Sequence, residues 1–352
     1  MNKIFKFFEN SVEEAGEWLN KITHPFTGED PMMIVPYRGY CSTKRLFLKG
    51  RVLEDETYFA GKSSHELSAI LNSFKRFETD EIPFAEVSIR MADQTFKVRA
   101  DHEGYFTLDT DWNPPQEALK NRWLRADLEL TEPTSGEEGA PKITSQGEVL
   151  LPSKQASYGI ITDVDDTVLQ THVNSRLKLK MLYATFMQHA EQRLPMEGIV
   201  ELFQAFAKGK GGQSENPIFY VSNSPWNLYD LLEQFMDIHE LPKGPILLRD
   251  FGIRPSGEFS QHKFAAITNI LDTYPDLPFI MLGDTASKDA DFYLQFAEQY
   301  PGRIKAIYIR LTQNNKNARR VAKLIEAKSD MNVVLIRSSA EMIEHAKEVG
   351  LL

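Results

Sequence analysis

From Tyr158 to the C-terminus, short apolar runs alternate with longer amphipathic ones, and this alternation limits the folds open to the chain more than any other feature. The runs "GIIT", "PIFYVS", "PILL", "PFIMLG", "RIKAIYI" and "NVVLI" have the length and β-branched content of strands. Between them lie "PWNLYDLLEQFMDIH", "HKFAAITNILDTY" and "KDADFYLQFAEQY", which read as helices. Strand and helix in alternation spell βαβ units, and βαβ units build a doubly wound parallel sheet. In such α/β domains, ligands bind beyond the carboxyl ends of the strands.

The 352 residues exceed one ordinary core, so more than one domain is expected. Residues 30–152 have period-2 character in "RLFLKGRV", "AEVSIRM", "TFKVRA" and "WLRADLEL", with a tight turn at Asp101 to Gly104 before "YFTL". A helix interrupts them, opened by a capping box of Ser63 and Glu66 and carrying Leu67, Ile70, Leu71 and Phe74 on one face. This predicts a mostly-β, sandwich-like domain with an inserted helix. "LPSKQAS" marks the boundary before an α/β domain of residues 158–352. Residues 1–25 hold an amphipathic helix with Ile4, Phe8, Val12, Trp18 and Ile22 at helical spacing. Two readings stand for it: a helix docked on its own protein, or an interfacial membrane anchor. Glu9, Glu13, Glu14 and Glu17 weigh against the second, because anionic lipid repels them.

Charge and cysteine content narrow the classes. A formal charge of −10 argues against a nucleic-acid partner. Cys41 is the single cysteine, which excludes an intrachain disulfide and a cysteine zinc site and suits a reducing compartment. The N-terminal apolar run is broken by Lys6 and Glu9, unlike a secretory signal, and no stretch reaches the length of a membrane span. The expectation is a cytoplasmic protein, soluble or peripheral to a membrane. The sequence sets no oligomeric state.

The strand ends carry the chemistry. "GIIT" runs into Asp163, Asp165 and Asp166; "PIFYVS" into Ser222 and Ser224; "PILL" into Arg249 and Asp250; "PFIMLG" into Asp284, with Asp289 opening the next helix. Lys263 sits early in the helix between the last two strands. Polar strand ends are ordinary, and capping accounts for Ser224 before Pro225. Capping does not account for Asp163, Asp165 and Asp284 together. Converging like charges repel unless a cation joins them. Hard divalent cations take oxygen ligands, and Mg²⁺ in particular is held by a few carboxylates plus substrate phosphate. The pattern predicts Mg²⁺ and phosphoryl chemistry. Asp163 is then the nucleophile, and Asp165 protonates the leaving oxygen and later activates water. Ser222 and Lys263 hold the phosphoryl oxygens. The metal ligands are Asp163, Asp284 and the main-chain carbonyl of Asp165, with Asp289 acting behind them on bound water or on Lys263.

These residues resemble a known superfamily. "DVDDT", ending at Thr167, is similar to the first motif of the haloacid dehalogenase superfamily, D-x-D-x-T. Ser222 resembles its second motif, Lys263 its third and "GDTASKD" its fourth. The resemblance adds Thr167 to the candidate catalytic residues and implies a haloacid dehalogenase-like fold. A closer likeness covers about residues 158–312. "DVDDTVLQTHV", "YVSNSPWNLYDLL", "LPKGPILLRDFG", "HKFAAITNIL" and "MLGDTASKDADFYLQFAEQYPGRIKAIYIR" resemble the catalytic domain of actin-patch-type phosphatidate phosphatases and their bacterial relatives. That implies Mg²⁺-dependent removal of phosphate from phosphatidate at a membrane surface. The family usually has G-D-S where this chain has Gly283-Asp284-Thr285; threonine keeps the hydroxyl, so no loss of chemistry is expected.

Three further segments bear on substrate. The insert between the first two motifs, with the helix "LKLKMLYATFMQHA", is small for a cap domain and would leave the cleft open. "KGKGGQS" lacks the Lys-Ser/Thr end of a phosphate loop and reads as a flexible connection. Lys316, Arg319, Arg320, Lys323 and Lys328 form a basic helix, read either as a solvated face or as a surface for lipid headgroups. The alternatives to a lipid phosphatase are a phosphatase acting on a soluble metabolite or phosphoprotein, and a catalytically silent phosphate-sensing or scaffold module. The intact acid positions disfavour the last.

Overall fold

The computed structural model describes residues 32–54, 81–132, 142–164, 197–249, 259–285, 287–312, 315–328 and 331–352. The N-terminal helix, the helix expected at Ser63, the insert helix of residues 177–190, Asp165, Asp166, Thr167 and Asp250 lie outside the described residues.

The first eight strands are β1 (Met32–Pro36), β2 (Gly39–Cys41), β3 (Arg45–Glu54), β4 (Glu86–Met91), β5 (Gln94–Arg99), β6 (Tyr105–Asp111), β7 (Trp123–Glu132) and β8 (Thr144–Leu150). They make one hydrogen-bonded sheet in the order β1-β3-β2-β8-β7-β4-β5, with β6 branching off β3. Every ladder is antiparallel except β2 with β8. The turn before β6 forms where expected: Gly104 has φ +74°, and its N–H donates to the Asp101 carbonyl. Period-2 patterning decides the packing. Leu46 and Leu48 of β3 face this sheet's own core with Val87, Ile89 and Leu128. Phe47 between them turns the other way, against Tyr40 and the second half of the molecule.

That second half is a six-stranded, wholly parallel sheet of β9 (Gly159–Asp163), β10 (Ile218–Pro225), β11 (Ile246–Arg249), β12 (Phe279–Asp284), β13 (Ile304–Arg310) and β14 (Val333–Ile336). The six apolar runs supply these six strands. Their order is β11-β10-β9-β12-β13-β14. The chain builds outward from β9 to one side, then returns beside β9 with β12 and builds to the other. The carboxyl ends of β9, β10 and β12 therefore meet at the switch point of the sheet.

Helices cover both faces. On one face α1 (Ile199–Lys208), α2 (Tyr229–Ile238) and α6 (Ser339–Glu348) bury Leu202, Phe203, Leu231, Phe235 and Met342 against Ile160, Tyr220 and Leu282. On the other, α3 (Phe259–Thr273), α4 (Asp289–Gln299) and α5 (Asn315–Glu326) bury Ile267, Tyr293, Phe296 and Val321 against Ile161, Phe219 and Met281. Residues 32–352 pack as one compact unit in which the two sheets share core residues: Tyr37 and Tyr105 join the first face, Tyr40 and Leu150 the second.

Two local expectations change. Ser224 caps no helix. β10 continues to Pro225, a 3₁₀ turn (Trp226–Leu228) follows, and α2 starts at Tyr229 with no side-chain cap. Packing overrides the capping signal here: Trp226 stacks on Tyr37 at 4.4 Å between ring centroids, and Tyr229 lies 4.5 Å from the same ring. The "KGKGGQS" connection holds a 3₁₀ turn (Lys210–Gly212), fastened where the Ser214 and Asn216 N–H groups donate to the Lys208 and Ala207 carbonyls.

Phe219 tests the shared core. It is fully buried and lies 5.6 to 6.2 Å, ring to ring, from Tyr40, Tyr274 and Phe279. Phe219→Ala is expected to destabilise the protein by about 3–5 kcal/mol, read from urea unfolding. A change below about 1 kcal/mol would mean that the junction is not a packed core.

Candidate active site

Strand register sets the site. Asp163 ends β9 opposite Val221 of β10, so Ser222 stands one residue further along. On the other side Leu282 pairs with Thr162, which puts Asp284 one residue past the level of Asp163. Between β10 and β11 the ladder is regular at Tyr220 and Val221 and resumes only at Pro225 opposite Arg249. Ser222, Asn223 and Ser224 occupy that irregularity, a common device for aiming side chains at a sheet edge. It is tied down on both sides: the Ser224 N–H donates to Ser222 Oγ at 2.9 Å, and Arg249 Nε donates to the Asn223 carbonyl.

Two helices complete the cluster. Lys263, from the first turns of α3, places Nζ 2.8 Å from Asp163 Oδ2 and 2.9 Å from Asp289 Oδ1. Asp289 is the first residue of α4, where the helix dipole favours a carboxylate, and its N–H donates to Ser287 Oγ. Asp284 Oδ1 accepts from the Ser287 N–H at 2.9 Å. Gly283 is needed for contact rather than conformation: a Cβ there would lie 2.6 Å from Asp289 Cβ and 2.8 Å from the Tyr293 ring. The structure thus brings Asp163, Ser222, Lys263, Asp284 and Asp289 to one sheet edge, all of them buried. Arg249 belongs to the surrounding support. Asp165 and Thr167 are outside the described residues. Ser224 enters through its backbone N–H to Ser222.

One carboxylate oxygen from each of Asp163, Asp284 and Asp289 lies within 4.8 Å of the other two. All three acids are buried, with exposures of 4%, 6% and 1%. With all three carboxylates ionised, they and the one ammonium would sum to −2 in a buried site. Asp289 Oδ2 is buried and finds no hydrogen-bond donor among the described residues. An all-oxygen donor set with a buried carboxylate oxygen in need of a partner fits a hard divalent cation. The electrostatics agree. Burial first, and the Asp289 charge second, push the Asp163 carboxyl up from its ordinary 3.8 to about 8, against the pull of Lys263.

Sequence reasoning missed the pairing of Thr285 with Thr312, whose hydroxyl oxygens lie 2.9 Å apart at the ends of neighbouring strands. The only local signal was a hydroxyl directly after Asp284.

A stability test follows from the raised proton affinity of Asp163. Folding favours its neutral form, so the native state binds more protons than the unfolded chain between pH 3.8 and about 8. This contribution is full below 3.8 and is lost as pH rises through about 8. The melting temperature of metal-free protein is expected to fall from pH 5 to pH 8, and to fall less in Asp163→Asn, which has no such proton to lose. Saturating Mg²⁺ should flatten the wild-type curve. Parallel curves for wild type and variant would contradict this account.

Comparison with known proteins gives a match for the same region. Residues 158–311 match the sequence profile described as phosphatidate phosphatase APP1, catalytic domain. The chain is 26% identical over 272 residues to the phosphatidate phosphatase APP1 of Saccharomyces cerevisiae, covering 74% of this chain and 44% of that protein. It is 27% identical over 270 residues to an uncharacterized protein of Schizosaccharomyces pombe, covering 72% of this chain and 41% of that one. This chain spans less than half the length of these curated relatives. Both alignments are longer than residues 158–352 and so extend into the β half. Among solved structures, a β-glucuronidase of Bifidobacterium dentium aligns over 87% of this chain and 60% of its own at 10% identity and a TM-score of 0.23, too low to carry an argument. The motifs, their order along the parallel sheet and the matched profile coincide: residues 158–311 are similar to the catalytic domain of phosphatidate phosphatase APP1.

Proposed function

We propose that this chain is a Mg²⁺-dependent phosphomonoester hydrolase with a haloacid dehalogenase-like catalytic domain and a sandwich-like β domain, and that it converts phosphatidate to diacylglycerol. The observation that carries this reading is the buried convergence of Asp163, Lys263, Asp284 and Asp289 at the switch point of a parallel sheet. Asp163 attacks phosphorus, and the bond from phosphorus to the diacylglycerol oxygen breaks as Asp165 protonates that oxygen. Water then attacks the aspartyl-phosphate, its proton goes to Asp165, and inorganic phosphate leaves. Lys263, already 2.8 Å from Asp163, holds the nucleophile in place, and Ser222 donates to a phosphoryl oxygen. Thr167 belongs to the same D-x-D-x-T motif in the sequence. Asp163 and Asp284, with the Asp165 carbonyl, would hold Mg²⁺, which would supply charge neutralisation for the transferring group, and Asp289 holds Lys263.

The substrate bears on docking. No helix among the described residues is long and apolar enough to cross a membrane. A cytoplasmic enzyme acting on a diacyl phosphate would have to dock peripherally. Of the basic residues around α5, Arg320 is held bidentately by Asp291, and Lys328 is paired with Glu298. Arg319 and Lys323 are exposed. With part of the basic surface already neutralised, a second reading gains weight, that of hydrolysis of a soluble phosphate monoester.

Asp163→Asn should abolish turnover while the protein stays folded. The uncatalysed reaction is slow enough that acceleration can approach ~10²¹-fold, so no background would mask the loss. Full activity after exhaustive EDTA treatment would rule out the metal mechanism. Turnover compared across phosphatidate vesicles, lysophosphatidate and soluble monoesters decides the substrate. Vesicle binding should fall with salt and with charge reversal at Arg319 and Lys323. Absent binding together with good turnover of a soluble ester favours the second reading.

A further inference from the structure

Asp284 ends β12, and the next residue, Thr285, is fully buried. Its N–H donates to the Arg310 carbonyl at 2.9 Å. Its Oγ1 accepts from the Thr312 N–H at 2.9 Å and lies 2.9 Å from Thr312 Oγ1. The next described contact back to Asp284 comes from the Ser287 N–H on Oδ1. The turn carrying Asp284 is thus tied by Thr285 to the carboxyl end of β13. A hydroxyl placed in a dry niche is unfavourable unless its bonds are made, and valine would fill the same shape. The threonine is accounted for by what the hydroxyl fixes.

We propose that Thr285 and Thr312 are positioning residues: their hydroxyl link sets the carboxylate of Asp284 for the divalent cation. This rests on the cation-dependent reading above. Groups that orient a ligand side chain are typically worth about 10- to 100-fold in metal affinity.

The test is calorimetric titration of Mg²⁺ into metal-stripped protein, with melting temperature followed in parallel without metal. Thr285→Val is expected to bind Mg²⁺ about tenfold more weakly, and to need proportionally more Mg²⁺ for half activity. Its kcat at saturating Mg²⁺ should stay near that of wild type. Thr285→Ser, which keeps the hydroxyl, should bind within about twofold of wild type. Thr312→Val removes the other hydroxyl but keeps the N–H donor, so its loss should be smaller. The double variant should be no weaker than Thr285→Val alone, because the two share one link. Unchanged affinity in folded Thr285→Val overturns the proposal, and so does full additivity in the double variant. If Thr285→Val does not fold, Thr312→Val decides: weakened binding supports the link and unchanged binding overturns it. Wild type that binds no Mg²⁺ fails the cation reading itself, whereas wild type and Thr285→Val that bind equally fail only the positioning role.

Discussion

Asp163, Asp284 and Asp289 each bring a carboxylate oxygen within 4.8 Å of the other two at the edge of a dry sheet. The local structure can be understood as what holds them there. Unit charges at that spacing repel by about 3 kcal/mol per pair at an effective dielectric of about 20. Lys263 offsets part of this by contacting two of the acids at 2.8 and 2.9 Å. The start of α4 favours Asp289, and Gly283 leaves the space its side chain needs. The balance remains short of positive charge. That is the condition under which a carboxylate such as Asp163 keeps its proton or shares a cation.

The β half is tied to the catalytic half near the motif around Ser222. Tyr37 stacks on Trp226, the Arg38 N–H donates to Tyr229 Oη, and Tyr105 Oη donates to Asn227 Oδ1. All of these partners lie directly after the irregular stretch Ser222–Ser224. On the opposite face, Tyr40 Oη donates to Asn269 of α3, the helix that carries Lys263. Aromatic packing of this kind contributes through buried area and ring geometry, and it ties elements remote in sequence into one core. Residues from two halves that differ in pairing direction and patterning thus share the burden of placing Ser222 and Lys263.

The ion pairs of α5 carry a related lesson. The five basic positions from Lys316 to Lys328 read from sequence either as a solvated face or as a surface for lipid headgroups. In the fold, Asp291 and Glu298 of α4 take up Arg320 and Lys328. Exposed pairs of this kind contribute only about 0–1 kcal/mol to stability. They still reduce the charge on offer to an anionic surface.

Much of the catalytic half was legible in the sequence because its signals are local. Strand-length apolar runs and helical periodicity arise from each segment's own burial, so all six strands of the parallel sheet could be read. Parallel direction then placed Asp163, Ser222 and Asp284 at a common edge. The placement of β9 between β10 and β12 was decided only in the tertiary structure. So were the bridge from Lys263 to Asp163 and Asp289, the closure of Thr285 on Thr312, and the stacking on Tyr37 that replaced the expected cap at Ser224. Each of these is an interaction between atoms on different elements, and no periodicity along one segment encodes its partner. The chain's pattern of apolar and polar residues specifies which faces must be buried; which side chains then meet is settled by the packing of those faces against one another.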